Sequence, residues 1–391
     1  MRSDPGAIIN QISLRNGHPG EGLSHTSFSN DLCPRPLSDN KFKDLSFYVV
    51  RDDLLHPVLN GNKARKLDAV MPILQENSVT DVVTCGGCQS AHAAAVAVAC
   101  SERGIRPHLL LRGEQPEIST GYNLISMLYG DITYIPRSEY AKRDEMLSMH
   151  ASLVGGQDGS VIWLNDLFKK SIDDYDSAAR FLEAKESTYT FSKVGQDLRK
   201  VVVISEGSGD VVGLLGVIRL VKCLSENYVI GKEEKVTIVL DAGTGTTAVG
   251  LAIGAVCLGL PWKVVAVMLA ETIEGYKRRE KVLISDFKRI CEPKYQASAL
   301  NGLDDGMVQW VDRIYPRRFG RVKKGEAEMC RHIARQTGIL LDPIYTLAAW
   351  EHAVCLCRPE AEDRSNVIML HTGGTLNMFG LAQRYKPHFQ V

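Results

Sequence analysis

The stretch Asp81-Val82-Val83-Thr84-Cys85-Gly86-Gly87-Cys88-Gln89-Ser90 passes from a short apolar run into a glycine turn. An alanine-rich pattern follows it as far as Arg103 and ends at Gly104, which is typical of a helix. A strand, a tight turn and a helix in this order make up the unit from which α/β proteins are built. Ser90 stands where the helix begins, so capping is its ordinary role and ligand binding is the alternative.

The same alternation of apolar strands and helical patterns extends along most of the chain. Continuous Val, Ile and Leu runs indicate strands that are buried on both faces, as in parallel sheets. The sequence therefore predicts an α/β protein with mainly parallel sheets. The predicted strands lie at residues 47–50, 81–84, 108–111, 132–135, 161–164, 201–205, 236–240, 264–269 and 367–370.

Composition bounds the function. The 391 residues suffice for two domains, and 46 basic residues balance 46 acidic ones, which argues against nucleic-acid or anionic-membrane binding. No apolar run reaches transmembrane length. Ten scattered cysteines indicate buried, reduced thiols in an intracellular protein, cytoplasmic or mitochondrial, and the sequence does not resolve which. We expect the polar residues 1–40 to be a poorly ordered extension, unlike a signal peptide or a typical transit peptide.

Lys63 lies in the run Leu59-Asn60-Gly61-Asn62-Lys63-Ala64-Arg65-Lys66-Leu67, between a predicted strand and a predicted helix. A second glycine turn, Gly243-Thr244-Gly245-Thr246-Thr247, follows the strand at 236–240. Backbone amides at such turns and helix starts bind anions. A loop lysine with two anion pockets indicates a Schiff base with a phosphorylated aldehyde, and pyridoxal phosphate is the cofactor that fits. A solvated Lys63 beside other basic residues is the alternative.

Two rival interpretations come from the same turns. Gly243 to Ala248 satisfies G-x-G-x-x-A, and Glu271 could serve as the ribose acid of a nicotinamide oxidoreductase, although its spacing exceeds the usual ~20 residues. Cys85-x-x-Cys88 has the spacing of a redox pair or half a zinc site, but no second C-x-x-C follows. We therefore predict no metal.

Four motifs occur in the order 61–67, Gly86-Gly87-Cys88-Gln89-Ser90, Leu341-Asp342-Pro343-Ile344-Tyr345 and His371-Thr372-Gly373-Gly374. Together they resemble one branch of the fold-type II pyridoxal phosphate enzymes, which holds 1-aminocyclopropane-1-carboxylate deaminase and D-cysteine desulfhydrase. The resemblance implies two open, mainly parallel twisted sheets flanked by helices, as in the tryptophan synthase β-like fold. We predict a large cofactor-binding domain, 41–65 plus 201–391, and a small domain, 66–200, enlarged at 138–200. Related folds commonly pair, so a homodimer is expected.

The resemblance also implies roles by position. Lys63 would carry the cofactor and move the α-proton, Ser90 would hold the substrate carboxylate, and Tyr345 would lie against the pyridine ring. The predicted catalytic residues are thus Lys63, Ser90 and Tyr345. The predicted cofactor-binding residues are Asn62, Lys63, Gly243, Thr244, Gly245, Thr246, Thr247, Tyr345, Thr346 and Thr372. The residues predicted at the substrate are Ser90, Ala91, His92 and Phe319.

Two positions depart from this branch. Ala91 replaces an asparagine that follows the serine in its members, with His92 as a candidate substitute, and Phe319 replaces a tyrosine near the active site. Thr346 and Thr372 stand where the desulfhydrase side of the branch differs from the deaminase side. A hydroxyl partner at the ring nitrogen would leave it largely unprotonated.

These residues predict a pyridoxal-phosphate-dependent cysteine desulfhydrase, a lyase that converts cysteine to pyruvate, ammonia and hydrogen sulfide. D-cysteine is favoured, and L-cysteine stays open. The alternatives are an aminocyclopropane-carboxylate deaminase-like enzyme, a relative inactivated or altered in specificity by Ala91 and Phe319, and a nicotinamide oxidoreductase.

Overall fold

The structure is a computed structural model that describes residues 6–15, 23, 26–32, 45–59, 61–182, 198–291, 302–357 and 365–390. Its strands are β1 (Ile9–Arg15), β2 (Ser27–Leu32), β3 (Ser46–Val50), β4 (Asp81–Gly87), β5 (Arg106–Arg112), β6 (Asp131–Ile135), β7 (Ser160–Trp163), β8 (Lys200–Val203), β9 (Val236–Ala242), β10 (Trp262–Met268), β11 (Val308–Asp312) and β12 (Asn366–Leu370).

Helices fill most of the gaps between these strands. They are α1 (Asn62–Glu76), α2 (Ala91–Ser101), α3 (Gly121–Tyr129), α4 (Arg137–Tyr140), α5 (Arg143–Gly155), α6 (Leu164–Leu182), α7 (Val211–Leu224), α8 (Thr246–Cys257), α9 (Ile273–Cys291), α10 (Glu326–Thr337), α11 (Thr346–Leu356), α12 (Asn377–Arg384) and α13 (Lys386–Phe389). A short 3-10 helix, Asp52–Leu54, precedes α1.

The strands form two sheets. The larger has the order β11-β10-β9-β12-β3-β1-β2, in which β11 to β3 are parallel and β1 and β2 are antiparallel additions. The smaller has the order β6-β5-β4-β8-β7 and is parallel throughout. Every residue of β9 and β12 is buried, because apolar side chains pack on both faces. The predicted α/β fold with two mainly parallel sheets is confirmed.

Two details of the predicted organisation are wrong. Strands β1 and β2 lie within the 1–40 stretch expected to be poorly ordered, and β1 pairs with β3, where Ile12 lies opposite Phe47. The predicted boundary before Val201 placed the next strand in the large domain, yet β8 pairs with β4 in the smaller sheet, with Val201 opposite Asp81. The crossover between the sheets therefore follows β8. Parts of the 1–40 and 138–200 segments lie outside the described residues.

Helix α8 is positioned by glycines that let a neighbouring helix come close. Nearly all of its residues are buried. A Cβ added to Gly250 would lie 2.9 Å from the Cβ of Val217, and one added to Gly254 would lie 2.8 Å from Val221. Both valines belong to α7, so only glycine permits α7 and α8 to pack this closely. The packing holds the start of α8 at the carboxyl end of β9.

No helix within the described ranges is long and apolar enough to cross a membrane.

Candidate active site

A cleft of about 1930 Å³ lies between the carboxyl ends of the two sheets. This volume exceeds that of a usual small-molecule pocket, so a cofactor and a substrate fit together. The predicted site residues that line it are Asn62, Lys63, Ser90, Ala91, His92, Gly243, Thr244, Gly245, Thr246, Thr247, Phe319, Tyr345 and Thr372. The structure thus brings together residues from all four sequence motifs. Among the predicted site residues, Thr346 alone is outside this lining.

Three motifs meet at the start of α1. Gly61 has φ of +75°, and a Cβ there would lie 1.9 Å from the carbonyl oxygen of Thr372, so only glycine fits. The Asn62 side-chain amide donates to the Thr247 hydroxyl at 2.9 Å. The Lys63 Nζ donates to the Asn62 Oδ1 at 2.6 Å. Lys63 therefore lies in the cleft at the junction of the lysine loop, the glycine turn and the motif after β12.

Burial lowers the pKa of Lys63, while the negative charge of Asp241 opposes the shift. A lowered pKa increases the share of neutral amine at physiological pH. A neutral amine can bind an aldehyde carbon or accept a proton, and both tasks suit the predicted role of this lysine.

The 243–247 loop forms a cup for an anion. Gly245 has φ of +80°, and a Cβ there would lie 2.9 Å from Trp310 and 3.2 Å from Tyr276. The Tyr276 hydroxyl fixes the loop from below, 2.6 Å from the carbonyl oxygen of Ala242. Helix α8 begins at Thr246 without a side-chain cap, so its first amides face the cleft unclaimed by a capping side chain. Glycines that admit a close ligand and a helix start without a cap fit the phosphate of the predicted cofactor.

Lys66 completes this cup and was missed by the sequence analysis. It is buried one turn after Lys63, and its Nζ donates to the Gly207 carbonyl oxygen at 2.9 Å. A Cβ added to Gly207 would lie 2.8 Å from the Thr244 hydroxyl, so the ammonium group is beside the loop. Burial places the pKa of Lys66 well below its usual range, with the charges of Lys63 and Arg279 acting in the same direction. A dianionic ligand would offset this cost.

Ser90 is the cap of α2, and its hydroxyl is also available to a ligand. Its Oγ accepts a hydrogen bond from the Ala93 amide at 3.2 Å, which makes it the cap of α2. A hydroxyl that accepts in this way still has its own proton to donate. Because Ser90 also lines the cleft, its hydroxyl and the start of α2 can bind a carboxylate.

His92 does not offer a free nitrogen to the substrate. Its Nε2 lies 2.9 Å from the Thr84 hydroxyl, and its Nδ1 lies 3.2 Å from the Ser208 hydroxyl. Thr84 already donates to the Ile204 carbonyl oxygen, so His92 Nε2 is the donor to Thr84 and Nδ1 accepts from Ser208. Burial, with the nearby charges of Lys63 and Lys66, lowers the His92 pKa to about 3. It is a neutral core histidine at the cleft wall.

Tyr345 and Phe319 form an aromatic wall of the cleft. Their ring centres lie 5.7 Å apart in an edge-to-face arrangement. A Cβ added to Gly243 would lie 3.5 Å from the Tyr345 ring, so the ring covers the entrance of the 243–247 loop. Burial, and then the charges of Asp342 and Asp241, raise the pKa of Tyr345, which keeps its hydroxyl protonated.

Thr346 is the exception among the predicted site residues. It is fully buried, outside the cleft lining, and its hydroxyl donates to Asp342 Oδ2 at 3.1 Å and accepts from the Asp342 amide at 2.8 Å. The structure therefore does not place the Thr346 hydroxyl where a cofactor ring could contact it. Thr372 does line the cleft, and its hydroxyl donates to Asp241 Oδ1 at 2.6 Å. The sequence analysis did not single out Asp241.

The cysteine pair has no redox signature. Burial raises the pKa of Cys85 to about 12 and also raises that of Cys88, whereas reactive thiols have lowered values. In the described part of the chain, no group of three or more His, Cys, Asp or Glu side chains could hold a metal ion.

Comparisons with known proteins agree with this geometry. A family model for pyridoxal-phosphate dependent enzymes matches residues 34–373. A rice (Oryza sativa subsp. japonica) protein named putative D-cysteine desulfhydrase 2, mitochondrial, is 53% identical over all of this chain and 93% of its own length. A Thermotoga maritima protein named putative 1-aminocyclopropane-1-carboxylate deaminase is 26% identical over 90% of this chain and 98% of its own.

A solved structure described as an ACC deaminase homologue has the same fold. It covers 88% of this chain and 89% of its own, with a TM-score of 0.61 and 23% identity.

Proposed function

The chain belongs to the family of pyridoxal-phosphate dependent enzymes, and from that premise we propose that it is a cysteine desulfhydrase with D-cysteine as its preferred substrate. It splits the carbon–sulfur bond of a small amino acid. The name of the rice relative, at 53% identity, supports this substrate over the others.

One observation carries the proposal. The Lys63 Nζ is held by Asn62, and Asn62 binds Thr247 in the phosphate cup at the same time. A lysine of lowered pKa thus lies next to the 243–247 loop, in a cleft that Ser90 also lines, and this arrangement supports the proposal. A cofactor with an aldehyde and a phosphate needs these two anchors at once.

The residues that line the cleft fit this cofactor. Lys63 would bind its aldehyde, the 243–247 loop and Lys66 would bind its phosphate, and Tyr345 would cover its ring. When bound, pyridoxal phosphate supplies an electron-withdrawing ring that stabilises negative charge on the carbon next to the substrate's amine. The protein's part is to place a base, a carboxylate site and a dry environment around that carbon.

Lys63 is the base of this reaction. Once the substrate's own amine has replaced it at the aldehyde, the freed Lys63 amine would take the α-proton, because burial lowers its pKa and Asn62 Oδ1 orients it. Ser90 and the first amides of α2 bind the substrate carboxylate, which fixes the α-carbon relative to Lys63. The carbon–sulfur bond breaks with its electron pair on sulfur, so hydrosulfide leaves the β-carbon and becomes hydrogen sulfide by taking up a proton. Cysteine and one water thus give pyruvate, ammonia and hydrogen sulfide.

A second function rests on the Thermotoga relative, whose name indicates deamination of aminocyclopropane carboxylate. That reaction would give 2-oxobutyrate and ammonia, without sulfide. A relative inactivated by Ala91 and Phe319 would bind the cofactor and release neither product. The family match supersedes the nicotinamide alternative.

The experiment that tests the proposal is a product assay on the purified holoenzyme. Sulfide and pyruvate are measured with D-cysteine and with L-cysteine, and 2-oxobutyrate with aminocyclopropane carboxylate. The proposal predicts equal amounts of sulfide and pyruvate, formed faster from the D-enantiomer. Sulfide from neither enantiomer, with 2-oxobutyrate from the cyclic substrate, would assign the deaminase function instead.

Two further features belong to the proposal. The rice relative's name includes the mitochondrion, which favours that compartment over the cytoplasm. A homodimer is implied by the fold resemblance, and light scattering during gel filtration would measure it.

A further inference from the structure

Asp241 is a buried carboxylate on the floor of the cleft. It stands at the carboxyl end of β9, two residues before Gly243, and is 5% exposed. It lines the cleft with Lys63, and its Oδ1 accepts a hydrogen bond from the Thr372 hydroxyl at 2.6 Å. Within the described ranges, no side-chain nitrogen of Lys, Arg or His lies within 4.0 Å of this carboxylate in an ion pair.

The hydrogen bond to Asp241 fixes what the Thr372 hydroxyl can offer to a ligand. A threonine hydroxyl has one proton to donate and two lone pairs that accept. An ionised carboxylate only accepts, so the single proton of Thr372 is used on Asp241. Toward the cleft, Thr372 therefore presents an acceptor and not a donor.

The charges around Asp241 come from α1 and from the loop before α11. Lys63 on α1 favours its ionised form, whereas Asp342, in the loop before α11, disfavours it. Tyr345 faces the same space with a protonated hydroxyl. Burial is the largest influence and costs the protein the hydration of this carboxylate. A positively charged ligand atom at Thr372 would offset that cost.

We propose that Asp241, acting through the Thr372 hydroxyl, is a positioning residue that keeps a proton on the ring nitrogen of pyridoxal phosphate. The inference rests on the proposed function, with the ring nitrogen at Thr372, which the family resemblance predicts to bind the cofactor and which lines the cleft. The proton comes from solvent and is held by the pair, with no change in electron count. It reverses the sequence-based expectation of an unprotonated nitrogen, which rested on a hydroxyl partner at the ring and did not consider Asp241.

A protonated ring is a stronger electron sink than a neutral one, because the positive charge stabilises negative charge developing on the substrate. The proposal thus assigns to Asp241 the task that a directly contacting carboxylate would perform, with Thr372 as the intermediary. It also gives a role to a costly buried acid whose carboxylate accepts a hydrogen bond from the cleft-lining Thr372.

Nitrogen-15 NMR of holoenzyme reconstituted with ring-labelled pyridoxal phosphate tests the proposal. The wild type should give a ring-nitrogen signal in the range of a protonated pyridine standard at neutral pH. In Asp241→Asn and Thr372→Val the signal should move to the range of the unprotonated standard. Thr372→Ser keeps the hydroxyl and should restore the wild-type signal, which separates the relay from a merely structural role.

Thr346→Val is the matched control, since its hydroxyl bonds Asp342 outside the cleft, and its ring-nitrogen signal should match the wild type. An unprotonated signal in the wild type, or an unchanged signal in Asp241→Asn, would overturn the inference. If Asp241→Asn fails to fold, the wild-type spectrum and the comparison of Thr372→Ser with Thr372→Val still test the inference. Loss of cofactor binding altogether would instead contradict the proposed function, so the two failures are distinguishable.

Discussion

Replacement of Lys66 by methionine tests whether this lysine binds the cofactor phosphate. The two side chains have similar length and shape, so Lys66→Met removes the charge and the hydrogen bond to Gly207 with little change in packing. In the holoenzyme we expect the ammonium group to bind the cofactor phosphate. A hydrogen bond to a charged group contributes about 1.5–3 kcal/mol. At 1.4 kcal/mol for each factor of ten, cofactor affinity should fall about 10- to 100-fold.

The same substitution should leave the cofactor-free protein as stable as before, or more stable. Burial lowers the pKa of Lys66, so the folded chain without cofactor bears the cost of a desolvated ammonium group that methionine does not. Cofactor affinity is measured by titrating the cofactor-free protein, and its stability by thermal unfolding. Lys277→Met, at an exposed position of α9, is the control and should change neither quantity.

Affinity within about threefold of the wild type would refute the role of Lys66 at the phosphate. A cofactor-free Lys66→Met protein that unfolds well below the wild type would show that the lysine serves the fold instead.

Three other predictions concern single positions. Gly245→Ala should destabilise the fold by about 1–3 kcal/mol in chemical denaturation, since φ is +80° and its Cβ would meet Trp310. Gly259→Ala is the control and should lower the free energy of unfolding by less, because φ is +64° but the added Cβ would lie in open space. Asp241→Asn should raise the unfolding temperature of the cofactor-free protein above pH 6 but not below pH 4. The carboxyl pKa is raised to about 6, so the wild type loses stability as pH rises through this window. His92→Gln should cost about 1–3 kcal/mol without moving the inflections of the pH–activity profile above pH 5.

The parts of the site that could be predicted from the sequence are those written in contiguous motifs. Lys63 and the 243–247 loop were identifiable because glycines between a strand end and a helix start indicate a tight turn whose backbone amides can bind an anion. The structure adds the reason for their proximity, which is the bridge from Asn62 to Thr247 across 185 positions of the chain.

The rest depends on contacts that no local pattern contains. Strand β2 reads Ser-Phe-Ser-Asn-Asp-Leu, too polar to be recognised, yet it pairs in antiparallel register at the sheet edge. The direction of the Thr346 side chain at the start of α11 depends on Asp342 accepting from it. The proposed role of Asp241 follows from its hydrogen bond with Thr372, which lies 131 positions away in the chain. Tertiary contacts also decide which of the two mainly parallel sheets β8 joins.

The proposed function requires Lys63 to carry the cofactor in this cleft. Borohydride reduction of the holoenzyme, followed by digestion and mass spectrometry, identifies the lysine that is attached. We expect a peptide containing Lys63 that carries the mass of the reduced cofactor, and no such peptide in Lys63→Ala. Reduction that marks another lysine, Lys66 included, while Lys63 stays unmodified, would contradict it.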